Sequence, residues 1–132
     1  MTRSRTIVAV AATVAVGVAC AVNPATGKKE FMLVSESQEI AMGKQEAQKV
    51  LASMPLYDDK EAADLVRRIG LEMAAESERP QLPWEFHLLD DETVNAFALP
   101  GGYIFITRGI MAHMNNEAEL ASVIGHEIGH VT

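Results

Sequence analysis

The sequence predicts an α+β fold. Three observations carry that reading. Capping patterns introduce helices at Ser35 with Gln38, at Asp58 with Glu61 and at Asn116 with Glu119. Between the second and third of these, Trp84-Glu85-Phe86-His87-Leu88 alternates apolar and polar side chains as a strand does. Beyond it, Pro100-Gly101-Gly102 separates two further short apolar runs, the arrangement of a tight turn between strands.

The elements follow in order. Asn23-Pro24-Ala25-Thr26-Gly27 reads as a turn or flexible tether. The first capping box opens a helix over residues 36–51, with Ile40, Ala47, Val50 and Leu51 near its inner face, and Met54-Pro55 ends it. The second opens a helix from Asp58 to about residue 75, with Leu65, Val66, Ile69 and Met73 as its apolar stripe. Both read as core helices whose charges form a solvated face. Pro80 and Pro83 bracket a loop. The strand at residues 84–88 turns Trp84, Phe86 and Leu88 inward. Asn95-Ala96-Phe97-Ala98 is a second strand, and Tyr103-Ile104-Phe105-Ile106 returns as a third. Thr107 caps a short helix through about residue 114. Asn116 caps the last helix, on which Leu120, Val123, Ile124, Ile128 and Val131 form the buried stripe.

The 132 residues suffice for one small domain. Its beginning has the layout of a signal peptide over residues 1–19: Arg3 and Arg5, then an apolar run from residue 7 to residue 19, then small residues. That run is shorter than the roughly 20 residues of a membrane span, which disfavours a retained anchor. Cys20 is the single cysteine, so no disulfide forms within the chain. Val18-Ala19-Cys20 resembles a bacterial lipoprotein processing site, at which the cysteine becomes the first mature residue and carries lipid. Gly17 departs from that pattern. The rival is ordinary cleavage after Ala21, which would release a soluble periplasmic protein. On the lipoprotein reading residues 20–34 are a lipid-attached tether that holds the protein at a membrane. Removing residues 1–19 leaves 9 basic against 18 acidic residues. A chain this acidic offers no basic face for nucleic acid, and none is expected as a partner.

The chemistry is concentrated in His126-Glu127-Ile128-Gly129-His130. This is H-E-x-x-H on a predicted helix, a zinc-site signature. Histidines four apart share a helical face, so both imidazoles can reach one Zn2+ ion. Zinc lowers the pKa of bound water to about 7. Glu127 stands where its carboxylate can take a proton from that water and later pass it to a leaving amine. The simpler alternative is two ordinary helix histidines, which a capped amphipathic helix preceded by strands argues against. His87 falls on the outward side of a strand and His113 near the end of a short helix. Both read as surface residues and not as ligands.

Three segments together resemble metallopeptidase family forty-eight: Asn95-Ala96-Phe97-Ala98-Leu99-Pro100-Gly101-Gly102-Tyr103-Ile104, Asn116-Glu117-Ala118-Glu119-Leu120-Ala121, and Gly125-His126-Glu127-Ile128-Gly129-His130. The stretch from Cys20 through Asn23-Pro24 to Leu33-Val34-Ser35 is similar to the family's bacterial lipoprotein branch. The resemblance implies a zincin-like, gluzincin-type zinc endopeptidase, with residues 35–132 as the N-terminal part of its catalytic domain. His126 and His130 would be metal ligands and Glu127 the catalytic base. A glutamate on a later helix would be the third ligand, with a histidine beyond it at the oxyanion, both past residue 132. On that expectation the 132-residue chain alone is weakly active or inactive and poorly folded. The strand Asn95, Ala96, Phe97 and Ala98 is similar to the edge that pairs with extended substrate in related zincins, although an ordinary edge strand reads the same way. The implied substrates are peptides or proteins of the cell envelope, misfolded or assembling outer-membrane proteins among them. The implied place is the bacterial periplasm, lipid-anchored at the outer membrane beside its assembly machinery. The alternative is a non-catalytic periplasmic lipoprotein with chaperone-like binding, or an inactive fragment.

Overall fold

The computed structural model describes residues 34–132 and, at residues 20–22 and 29–31, the backbone pairing alone. The predicted signal peptide and the turn at residues 23–27 lie outside the described residues. Within the expected tether, β1 (Cys20–Val22) and β2 (Lys29–Phe31) pair antiparallel, with Cys20 opposite Phe31.

The helices begin where short polar side chains satisfy free N–H groups. The Ser35 hydroxyl accepts from the Gln38 N–H at 3.3 Å, and the Gln38 side chain accepts from the Ser35 N–H at 3.1 Å, which opens α1 (Glu36–Ser53). Met54, extended ahead of Pro55, ends it. The next helix begins later than the sequence suggests. Leu56 bridges Leu89 and the Tyr57 N–H donates to the Leu88 carbonyl at 3.0 Å. The chain therefore stays extended past Asp58. Asp59 takes the cap instead, accepting from Ala62 N–H at 3.0 Å, and opens α2 (Lys60–Ala75).

Three strands form the main sheet: β3 (Glu85–Leu89), β4 (Ala96–Leu99) and β5 (Tyr103–Thr107), in the order β3-β5-β4. The β4–β5 pair is antiparallel and turns at Gly101 and Gly102, whose φ angles of 87° and 101° suit glycine. β3 runs parallel to β5. As the central strand, β5 is buried along its whole length. Its alternation divides the core. Ile104 and Ile106 join Phe86 and Leu88 of β3 on the face covered by α2, through Val66 and Ile69, and by α4 (Glu117–Val131), through Leu120, Ile124 and Ile128. Tyr103 and Phe105 join Leu89 on the opposite face, where α1 lies. The result is three layers: α1, the sheet, and the α2–α4 pair.

Thr107 caps α3 (Arg108–Met111), its hydroxyl accepting from the Ile110 N–H at 3.2 Å. This helix stops before residue 114. The amides of His113 and Met114 donate three residues back, to Ile110 and Met111, so the last turns are tighter than an α-helix. On the far side α1 fully buries only Gly43 and Ala47. Gly43 admits close approach, for a Cβ there would lie 1.6 Å from the Pro100 carbonyl oxygen. Ile40, Val50 and Leu51 pack partly buried against the core, and polar contacts add to that attachment.

Candidate active site

The helix α4 presents the H-E-x-x-H residues in a fixed rotation. Asn116 accepts from the Glu119 N–H at 3.0 Å, and Glu117 and Glu119 place negative charge in the first turn, where the helix dipole favours it. Leu120, Ile124 and Ile128 sink into the core. Val123 and Val131, expected in the same stripe, are only partly buried. That rotation leaves His126 and His130 exposed and draws Glu127 in, to 7% exposure.

The two imidazoles converge. Their Nε2 atoms are 3.0 Å apart and the rings stand nearly perpendicular, at 88°. Two nitrogens at zinc's usual 2.0–2.1 Å, set at a tetrahedral angle, are about 3.3 Å apart. A small rotation of either ring meets that requirement, so this donor pair fits one Zn2+ ion. The Glu127 carboxylate accepts no hydrogen bond from the described protein groups, and it faces a cleft. That cleft has a volume of about 440 Å³. Ser122, Val123, His126 and Glu127 form one wall, and Val94, Asn95, Ala96 and Ile110 form the other.

The opposing wall begins an edge strand. β4 pairs with β5 on one side and with no other strand among the described residues on the other. Asn95 lies just before β4 and not within it, because its N–H donates to the Thr107 hydroxyl at 3.2 Å. Its carbonyl accepts from the Thr107 N–H at 3.1 Å, which makes Asn95 and Thr107 a bonded pair. Antiparallel pairing alternates, so Ala96 and Ala98 turn their N–H and C=O groups outward from the sheet. Phe97 points its backbone at β5 and stacks its ring on Phe105 with centroids 5.0 Å apart.

The remaining histidines lie elsewhere. His87 stacks on Phe105 and has Nε2 3.0 Å from a Glu85 carboxylate oxygen. His113 has Nδ1 2.9 Å from the Gly109 carbonyl oxygen. Among the described residues no third His, Cys, Asp or Glu joins the pair on α4. The side chain of Cys20 lies outside the described residues.

A family model described as peptidase family M48 matches residues 60–132. The chain belongs to peptidase family M48. Its fold is accordingly the α+β, zincin-like one. It is 34% identical over 109 residues to the beta-barrel assembly-enhancing protease of Yersinia pestis, covering 83% of this chain and 22% of that protein. The protein of the same name from Escherichia coli (strain K12) is 30% identical over the same shares. The mitochondrial metalloendopeptidase OMA1 of Arabidopsis thaliana is 44% identical over 57 residues, covering 43% of this chain and 12% of that protein. The chain thus spans about a fifth of the length of the bacterial relatives it matches. No helix among the described residues is long and apolar enough to cross a membrane.

One part of this M48 site has no counterpart in the sequence reading. Arg79, in the loop after α2, is buried. It donates to both carboxylate oxygens of Glu39 at 3.0 and 2.9 Å, to Glu36 at 3.2 Å, and to the carbonyl of Val131 at 3.0 Å. It therefore ties α1 to the turn of α4 that carries His130. Glu39 also accepts from the Gly101 N–H at 3.3 Å, which adds the β4–β5 turn. These contacts span 40 to 62 residues, and no local pattern signals them.

The hydrogen bond from Arg79 holds the Glu39 carboxyl below the ordinary carboxylate range, with the guanidinium charge and the Gly101 N–H adding to it and burial opposing. A depressed carboxylate stabilises the fold above its unfolded pKa of about 4.3, and that stability is lost as pH falls through the lower folded value. Urea unfolding followed by the single tryptophan, Trp84, should therefore show stability falling as pH drops below about 4. Glu39→Gln should lower stability at pH 7 and flatten that acid slope. An unchanged slope in the variant would remove Glu39 from the account.

Proposed function

We propose that the chain forms the zinc-binding part of an endopeptidase, with His126 and His130 as metal ligands and Glu127 as the general base. The observation that carries this reading is geometric. The Nε2 atoms of His126 and His130 converge to 3.0 Å, and His126 and the Glu127 carboxylate line a cleft whose other wall leads into the free strand edge. Zinc, when bound, would polarise the scissile carbonyl and acidify water to a pKa of about 7. A third protein ligand, usual in catalytic zinc sites, comes from outside the described residues.

The chain's own groups do the rest. The outward N–H and C=O groups of Ala96 and Ala98 receive an extended peptide as an added strand, with little demand on its sequence. Asn95 borders that strand at the cleft. Glu127 accepts the proton of the attacking water at its carboxylate and returns it to the leaving amine.

The substrates we propose are polypeptides of the cell envelope, misfolded or assembling outer-membrane proteins in particular. The names of the bacterial relatives support that choice. Residues 1–19 act as a signal peptide and residues 20–34 as a tether. Lipid on Cys20 anchors the protein in the periplasm, at the outer membrane, within reach of the assembly machinery. Residues 35–132 belong to the catalytic domain.

Two measurements test this reading. Glu127→Gln should keep zinc and cut turnover by about 10²–10⁴-fold, the usual loss for a general base; activity near wild type would remove Glu127 from the mechanism. Mass spectrometry of the mature protein should find an acylated Cys20 at the amino terminus. A free terminus at Val22 would replace the anchored form with a soluble one.

A further inference from the structure

We propose that Thr107 is a positioning residue for substrate, setting the wall of the cleft that faces the metal ligands. The inference rests on the reading of β4 as the strand that receives substrate. Thr107 is almost wholly buried, at 1% exposure. Its hydroxyl has one proton to give and two lone pairs to receive with. All three are used. The proton goes to the Thr93 carbonyl at 2.6 Å, with the Asn95 carbonyl also near at 2.9 Å. The lone pairs accept from the Asn95 and Ile110 N–H groups, each at 3.2 Å.

These partners are the backbone of one wall. Thr93 and Asn95 flank Val94, and Asn95 leads into Ala96. Ile110 belongs to α3. Val94, Asn95, Ala96 and Ile110 all line the cleft opposite α4. The loop ahead of them is held at its other end as well. Asp91 accepts from the Thr93 N–H at 2.9 Å, and the Gly109 N–H donates to the Asp91 carbonyl at 3.0 Å. Only the hydroxyl, however, joins the loop, the start of β4 and α3 at a single atom. Neither metal-ligand histidine touches it. Thr107 therefore governs where a peptide lies, and the metal site does not depend on it.

Valine matches the shape of threonine and offers neither the donor nor the acceptors. Serine offers all three and lacks the methyl group. The full-length protein is compared as wild type, Thr107→Val and Thr107→Ser. The readouts are zinc content, backbone amide exchange, and kcat and KM for fluorescein-labelled casein. In Thr107→Val, exchange at the Asn95 and Ile110 amides should quicken while that of residues 120–131 holds. Zinc stays stoichiometric. KM rises about 3- to 10-fold, the loss of roughly one hydrogen bond's worth of alignment, with kcat within about twofold. Thr107→Ser should restore both exchange and KM. Raised exchange with an unchanged KM overturns the proposal, as does a fall in kcat with zinc loss at constant KM, or a failure of serine to rescue. Should the valine variant not fold, Thr107→Cys puts a weaker donor in the same place and gives the same comparison in milder form. A wild type that cleaves nothing would sink the proposed function instead. The exchange data then decide the positioning alone, and unchanged protection at Asn95 overturns it.

Discussion

The buried guanidinium of Arg79 is the contact on which the arrangement of the molecule depends. It lies in the loop that joins α2 to the sheet, yet its donors reach α1 through Glu36 and Glu39 and α4 through the Val131 carbonyl. α1 packs Ile40, Ala47, Val50 and Leu51 on the core, and the guanidinium adds a polar attachment to that apolar one. Breaking a bidentate pair by removing one partner costs about 3–5 kcal/mol when it is buried. The Trp84 indole N–H, donating to the Arg79 carbonyl at 3.0 Å, fixes the same loop to the core. One cation thus links α1, through Glu39 the β4–β5 turn, and the turn of α4 that carries His130.

With that turn of α4 held, the sheet determines what faces its histidines. β5 has one face for α1 and the other for α2 and α4, and its burial leaves β4 as the edge. The edge strand and α4 pack against each other, so Asn95 and Ala96 face His126 and Glu127 across one cleft. Their environments differ in a useful way. The histidines are exposed. Glu127, between them in sequence, is 7% exposed and turns its carboxylate to the cleft. A single rotation of α4, set by Leu120, Ile124 and Ile128, produces both conditions.

Much of this was legible in the sequence because it is local. The capping boxes at Ser35 and Asn116, the alternation through Trp84, Phe86 and Leu88, and the glycines of the β4–β5 turn each depend on residues within a few positions of one another. The i, i+4 spacing of His126 and His130 belongs to the same class, and the resemblance of the motifs to family M48 agreed with it. What the sequence hid is long-range. Asp59 displaces Asp58 as a cap because Leu56 and Tyr57 are held by β3, a contact more than thirty residues away. Asn95 is drawn out of the strand by Thr107. The short helix ends before residue 114, in tighter turns that carry no distinct composition. Nothing near Arg79 in the sequence marks its guanidinium for burial. The expected tether contains a short pair of strands, and the signal segment lies outside the described residues.

The converging nitrogens of His126 and His130 are placed to hold a metal ion. Metal analysis of the purified full-length protein checks this, with wild type set beside His126→Ala, His130→Ala and His113→Ala. One zinc per wild-type molecule is expected, with strong loss in each of the first two variants and retention in the third, whose imidazole is engaged with Gly109. Stoichiometric zinc in His126→Ala or His130→Ala would contradict it.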